Sequence, residues 1–153
     1  MKHDHPQVVV IPPVLYGAGF VLGLGVEFVW RTHLAGPAIR FTLGPALVIL
    51  GLIVTLSALR AFQRAGTNIE VYRPATSLVV AGPYRYTRNP IYFALTVAYL
   101  GAALLADSVW VLALVVPVVI IIHFGVILRE ERYLAAKFGR AYQDYARAVK
   151  RWL

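Results

Sequence analysis

The side chains able to do polar chemistry gather in two short runs of this 153-residue chain. One is Gly82-Pro83-Tyr84-Arg85-Tyr86-Thr87-Arg88-Asn89-Pro90-Ile91-Tyr92; the other is Glu130-Glu131 followed by Phe138-Gly139, Tyr142, Tyr145 and Val149. An arginine such as Arg88 can hold a carboxylate through its planar fork. The paired carboxylates stand at the C-terminal end of an apolar run, where the helix dipole disfavours anions, so they need a compensating cation or a polar ligand. Arg129 and Arg132 can serve as plain neighbours. Alternatively, a carboxylate held there accepts hydrogen bonds from ribose hydroxyls or a ligand ammonium. His123, two turns before Glu130, falls on the same helical face, either as a functional intramembrane group or hydrogen-bonded to a neighbouring helix. His3, His5, His33 and His123 lack metal-ligand spacing, and the absence of Cys excludes disulfides, thiolate sites and a Cys nucleophile.

The elements that must position these groups are apolar helices. With 59% hydrophobic and 14% charged residues and a mean hydropathy of +0.69, the chain departs far from soluble composition. The fold class is therefore an all-α integral membrane protein with about four transmembrane helices and C-terminal amphipathic helices on the cytosolic side. The runs are about Val8–Trp30, Phe41–Leu59, Pro90–Ala106 and Val109–Leu128, each near the length that crosses a bilayer. Pro12-Pro13 belongs in the first turn of its helix. Glu27 and Arg31 read as an i,i+4 pair at the far interface. Asp107-Ser108 is too short for anything but a tight helical hairpin.

Thirteen of the fifteen Lys and Arg residues, Lys2 among them, fall on one side of such a four-span arrangement, opposite Arg31 and Arg40. The positive excess marks the cytosol, which places both termini and both runs there. The net charge of +8 flanks apolar spans, so it implies membrane lipids and no nucleic acid as partner. Ala61 to Asn89 is the long polar connection, with turns at Gly66-Thr67-Asn68, Arg73-Pro74 and Gly82-Pro83 and an apolar stretch, Leu78-Val79-Val80, that can lie against a pocket. Arg129 to Phe138 forms a helix stopped by Gly139, and a second helix runs to about Val149. Leu134, Phe138, Tyr142, Tyr145, Val149 and Trp152 make one amphipathic stripe, a membrane-surface, packing or binding face. Tyr84, Tyr86 and Tyr92 with Arg85 and Arg88 can equally be an interfacial belt.

Gly82-x-Tyr84-x-x-x-Arg88-Asn89-Pro90-x-Tyr92, a hydrophobic span, then Glu130-Glu131-x-x-Leu134-x-x-x-Phe138-Gly139-x-x-Tyr142-x-x-Tyr145-x-x-x-Val149 resembles the C-terminal core of the isoprenylcysteine carboxyl methyltransferase family. It is similar, more distantly, to the membrane phospholipid N-methyltransferases. The resemblance covers about Thr67 to Trp152. It implies S-adenosylmethionine as methyl donor and a lipophilic small-molecule or lipidated acceptor, with carboxyl O-methylation the expected reaction. Carried over by position, it implies a donor site of Thr76, Ser77, Leu78, Val79, Tyr84, Asn89, Pro90, Ile91, Tyr92 and Glu130, with Arg88, Glu131 and Arg129 in catalytic roles. Asn89 stands where the family commonly has His, and Val126 stands where eukaryotic members place a substrate-contacting Arg. The single domain divides into two N-terminal spans, 1–60, and a cofactor-binding core, 61–153. The competing readings are an NADPH-dependent membrane reductase of the sterol reductase type and a nonenzymatic membrane or transport protein built on Glu27 and His123.

Overall fold

The computed structural model describes Pro6, residues 8–68 and residues 73–153; Lys2 and the His3-Asp4-His5 run lie outside them. Among the described residues the secondary structure is helical: α1 (Pro12–Val29), α2 (Pro37–Ala65), a 3-10 turn (Gly82–Arg85), α3 (Pro90–Ala106), α4 (Val109–Ile122), a π turn (His123–Ile127), α5 (Leu128–Phe138) and α6 (Arg140–Ala148). Proline sits in the first turn of α1, α2 and α3, where its missing N–H leaves no bond unmade. Three stretches are long and apolar enough to cross a membrane, Pro12–Val29, Pro37–Ala65 and Val109–Phe138, and α3 is a shorter apolar helix. At 17 residues, α3 is about 25 Å long, near the lower limit for a span.

The run from Val109 to Phe138 is one 30-residue helix, about 45 Å long against a hydrocarbon core of about 30 Å. Val109 to Ile127 carries no Asp, Glu, Lys or Arg, whereas α5 carries Arg129, Glu130, Glu131, Arg132 and Lys137. The apolar part therefore spans and α5 projects beyond the hydrocarbon.

Small residues let the helices approach closely, the usual currency of packing in lipid. A Cβ on Gly101 of α3 would come within 2.6 Å of the Gly44 carbonyl oxygen, and one on Gly51 of α2 within 2.7 Å of the Ala94 carbonyl oxygen. The other seam brings α1 against α4, where a Cβ on Gly23 would lie 2.7 Å from the Val111 Cα. Tyr16 of α1 reaches α3 through its hydroxyl, 2.7 Å from Thr96 Oγ1.

The bundle end remote from the two motifs is tied by carboxylates. The expected Glu27–Arg31 helix pair does not form, because α1 stops at Val29 and leaves Arg31 off the helix. Glu27 instead accepts hydrogen bonds from the Thr32 hydroxyl at 2.6 Å and the Ser108 hydroxyl at 2.6 Å. Ser108 caps α4 by accepting from the Val111 N–H. Asp107, in the left-handed region at φ 53, joins His33, the Leu34 and Ala35 amides and Arg40. The His33 hydrogen bond, then those two amides and the Arg40 charge, hold its carboxyl down at about 2.

α2 extends six residues past the expected Leu59 end, to Ala65, because Arg60, Ala61, Gln63, Arg64 and Ala65 are good helix formers. Gly66 stops it in the left-handed conformation, φ 63. That extra turn and a half carries Phe62 toward the motifs.

Candidate functional site

The Gly82 motif folds as a turn that brings three helices together. Gly82 has φ +62, open to glycine and strained for other residues, and Pro83 starts the 3-10 turn that follows. The turn buries Tyr84 against Ala58, Ala61, Val79 and Phe62, with the Phe62 ring edge-on at 5.6 Å. The Tyr145 hydroxyl donates to the Tyr84 carbonyl at 2.8 Å, which fixes α6 to the same turn. Burial raises the Tyr84 phenol well above its ordinary value. Asn89 precedes α3 but does not cap it with its side chain; its Nδ2 donates to the Arg151 carbonyl at 2.9 Å.

The two adjacent glutamates have separate environments. The Tyr92 hydroxyl donates to Glu130 Oε1 at 2.8 Å. Burial pushes the Glu130 carboxyl up to about 7, helped by the nearby Glu131 charge and opposed by the Tyr92 hydrogen bond. Glu131 is held by two guanidinium groups. Arg151 meets it with a full fork, Nε to Oε1 at 2.9 Å and Nη2 to Oε2 at 2.7 Å. Arg88 Nη1 shares Oε1 at 3.0 Å and lies 3.4 Å from the Tyr142 hydroxyl. Two cations on one carboxylate leave one positive charge over, and Arg88 Nε is buried with no hydrogen-bond partner.

These groups line a cavity of about 120 Å³ that opens toward solvent. Its lining combines apolar and aromatic side chains, Phe62, Leu78, Val79, Tyr84 and Ile91, with polar ones, Arg88, Tyr92, Glu130, Glu131, Tyr142 and Tyr145. Of the residues expected at the site, Ser77, Leu78, Val79, Tyr84, Arg88, Asn89, Ile91, Tyr92, Glu130 and Glu131 meet there. Three do not line it. Thr76 stitches the connection, its hydroxyl donating to the Gly66 carbonyl and its N–H to Thr67 Oγ1. Pro90 is fully buried as the first residue of α3, and Arg129 of α5 is not part of the lining.

The sequence did not single out Phe62 or Tyr133 for the cavity. Tyr133 latches the connection to α5 by accepting from the Ala75 N–H at 3.0 Å. The amphipathic stripe was visible, and the structure divides its uses: Leu134, Tyr142 and Tyr145 line the cavity, while Trp152 packs on the core. The π turn at His123–Ile127 interrupts the regular helix on which a shared face with Glu130 was expected, and His123 does not line the cavity; its Nδ1 accepts from Trp152 Nε1 at 3.4 Å. Among the described residues no group of His, Cys, Asp or Glu could hold a metal ion.

The family model for phospholipid methyltransferases matches residues 39–141. The chain belongs to that family. The matched stretch takes in nearly all of α2, the Gly82 turn, the α3–α4 hairpin and the glutamate pair, so it holds most of the cavity lining, with Tyr142 and Tyr145 of α6 just beyond it. Isoprenylcysteine carboxyl methyltransferases are related to this family, as the motif spacing implied. No curated protein and no solved structure matches the chain. This phospholipid methyltransferase family member is a membrane methyltransferase.

Proposed function

We propose that the chain transfers the methyl group of S-adenosylmethionine to a carboxylate oxygen of a lipophilic acceptor, at the cytosolic face of the membrane. The observation that carries the donor assignment is the mixed lining of the cavity. The lining offers a cation, Arg88, and a separate carboxyl, Glu130, together with apolar and aromatic side chains. That set complements a zwitterionic amino acid joined to a nucleoside. Arg88 lines the cavity with its charge only shared at Glu131 and its Nε unpartnered, a guanidinium suited to a ligand carboxylate, so the residues fit this cofactor. Leu78, Val79, Tyr84 and Phe62 would hold the base, Glu130 the ribose or ammonium, and Arg88 the carboxylate.

Bound there, S-adenosylmethionine supplies a methyl group already activated by its sulfonium charge. The work left to the protein is alignment and exclusion of water, of the order of several kcal/mol. Tyr92 fixes Glu130, and Arg151 and Arg88 fix Glu131. Tyr84, Phe62 and the Tyr133 latch belong to the aromatic lining. A carboxylate acceptor needs no base, which suits this inventory: Glu131 has both oxygens occupied and Asn89 does not titrate. An acceptor amine would have to surrender a proton, and Glu130, standing at about 7, is the group able to take it; this is the second reading. The cytosolic placement is supported by the positive excess around the motif-bearing segments.

The test uses membranes containing the protein, methyl-labelled S-adenosylmethionine and a total lipid extract. Label in the organic phase that alkali releases as methanol supports the ester reading. Alkali-stable label supports the amine. No transfer above membranes lacking the protein removes both.

A further inference from the structure

After α6 ends at Ala148, the chain turns back and its last residues are fastened by their own backbone. The Lys150 carbonyl accepts from the Arg88 N–H at 2.9 Å. The Arg151 carbonyl accepts from the Thr87 hydroxyl at 3.0 Å and from Asn89 Nδ2 at 2.9 Å. Trp152 packs into the core beside the π turn. None of these contacts uses the Arg151 side chain, which does not line the cavity and spends its fork on Glu131.

That fork decides what Arg88 can do. A carboxylate alone beside a guanidinium takes it as a bidentate partner, since two parallel charge-assisted bonds are stronger than one. Here both Glu131 oxygens already carry an Arg151 N–H, and Arg88 has only a shared contact at Oε1. Arg88 therefore enters the cavity wall with Nε unpartnered and with its charge incompletely neutralised. The Tyr142 hydroxyl at 3.4 Å is its other neighbour.

We propose that Arg151 is a positioning residue for Arg88: by occupying both oxygens of Glu131 it keeps that carboxylate from capturing Arg88, which stays available to the carboxylate of the bound donor. This rests on the donor reading given above. Removing the Arg151 fork frees Glu131 to pair fully with Arg88 and compete with the ligand. Removing Glu131 as well abolishes the competitor and releases Arg88 again. A merely structural role for Arg151 gives the opposite pattern, each substitution adding to the damage.

The experiment is calorimetric titration of the full-length protein in detergent with two probes. One is S-adenosylhomocysteine; the other is S-adenosyl-3-thiopropylamine, the same molecule without its carboxylate. Arg151→Gln should weaken S-adenosylhomocysteine about tenfold, the worth of one charge-assisted hydrogen bond, and leave the decarboxylated probe unchanged, which also reports that the cavity is intact. Arg151→Gln combined with Glu131→Gln should recover S-adenosylhomocysteine binding to within about threefold of wild type. Equal weakening of both probes, no weakening of either, or a double variant no better than the single one overturns the proposal while leaving the donor reading in place. A wild type that binds neither probe overturns both.

Discussion

Glu130 titrates where no ordinary glutamate does, and donor binding should report it. Burial and the Glu131 charge lift its carboxyl from 4.5 to about 7, while the Tyr92 hydrogen bond resists the rise. A ligand carrying positive charge or sugar hydroxyls selects the ionised form. With a midpoint at about 7, about nine-tenths of the molecules are ionised at pH 8 and about one-tenth at pH 6, so affinity for S-adenosylhomocysteine should fall about tenfold between those values. An unperturbed glutamate would give no change in that window. Glu130→Gln should flatten the profile and lower affinity at pH 8 by about ten- to a hundredfold. Tyr92→Phe should move the midpoint upward. Titration calorimetry at half-unit pH steps measures all three. A flat wild-type profile from pH 6 to 8, or a slope that survives Glu130→Gln, would mean that Glu130 does not govern donor binding. The same shift has a stability sign. The folded state holds this proton more tightly than the unfolded chain, so the group favours folding most below about 4.5 and loses that contribution as pH rises through about 7. Thermal melts of wild type and Glu130→Gln should therefore diverge over this range.

Other consequences follow from the packing. Glu131→Gln removes the carboxylate shared by Arg88 and Arg151 and should cost about 2 kcal/mol in unfolding free energy, allowing for screening at the partly exposed Arg151; its S-adenosylhomocysteine affinity should stay within about threefold of wild type. Gly101→Val puts side-chain atoms against the Gly44 carbonyl and Val48 amide, backbone that cannot give way, so the melting point should drop by the equivalent of about 1–3 kcal/mol and methyl transfer should fall as α2 carries Phe62 away from the cavity. Reporter fusions at residues 1 and 153 should both read cytosolic; a C-terminus on the other side would contradict the placement of the site.

Much of this arrangement can be read from local sequence because local rules fix it. Pro90 and the Asp107-Ser108 turn set the bounds of α3 and the start of α4, and Gly139, at a positive φ of 54 that favours glycine, stops α5. The end of α2 is local too, set by Gly66 after a run of helix formers, but apolarity alone placed it at Leu59, which hid Phe62 from the site. Other features are not carried by local sequence. The π turn at His123–Ile127 has no composition signal, so a regular helix put His123 on the Glu130 face. In sequence the cations beside Glu131 are Arg129 and Arg132. Only the return of the chain after Ala148 shows that Arg151, 20 residues away, is the partner.

Whether the cavity takes S-adenosylmethionine is decided by titration calorimetry of the purified protein. S-Adenosylhomocysteine should bind saturably with one site per chain, and NADPH should give no heat beyond dilution. Binding of NADPH without S-adenosylhomocysteine would contradict the account and return the site to the reductase reading.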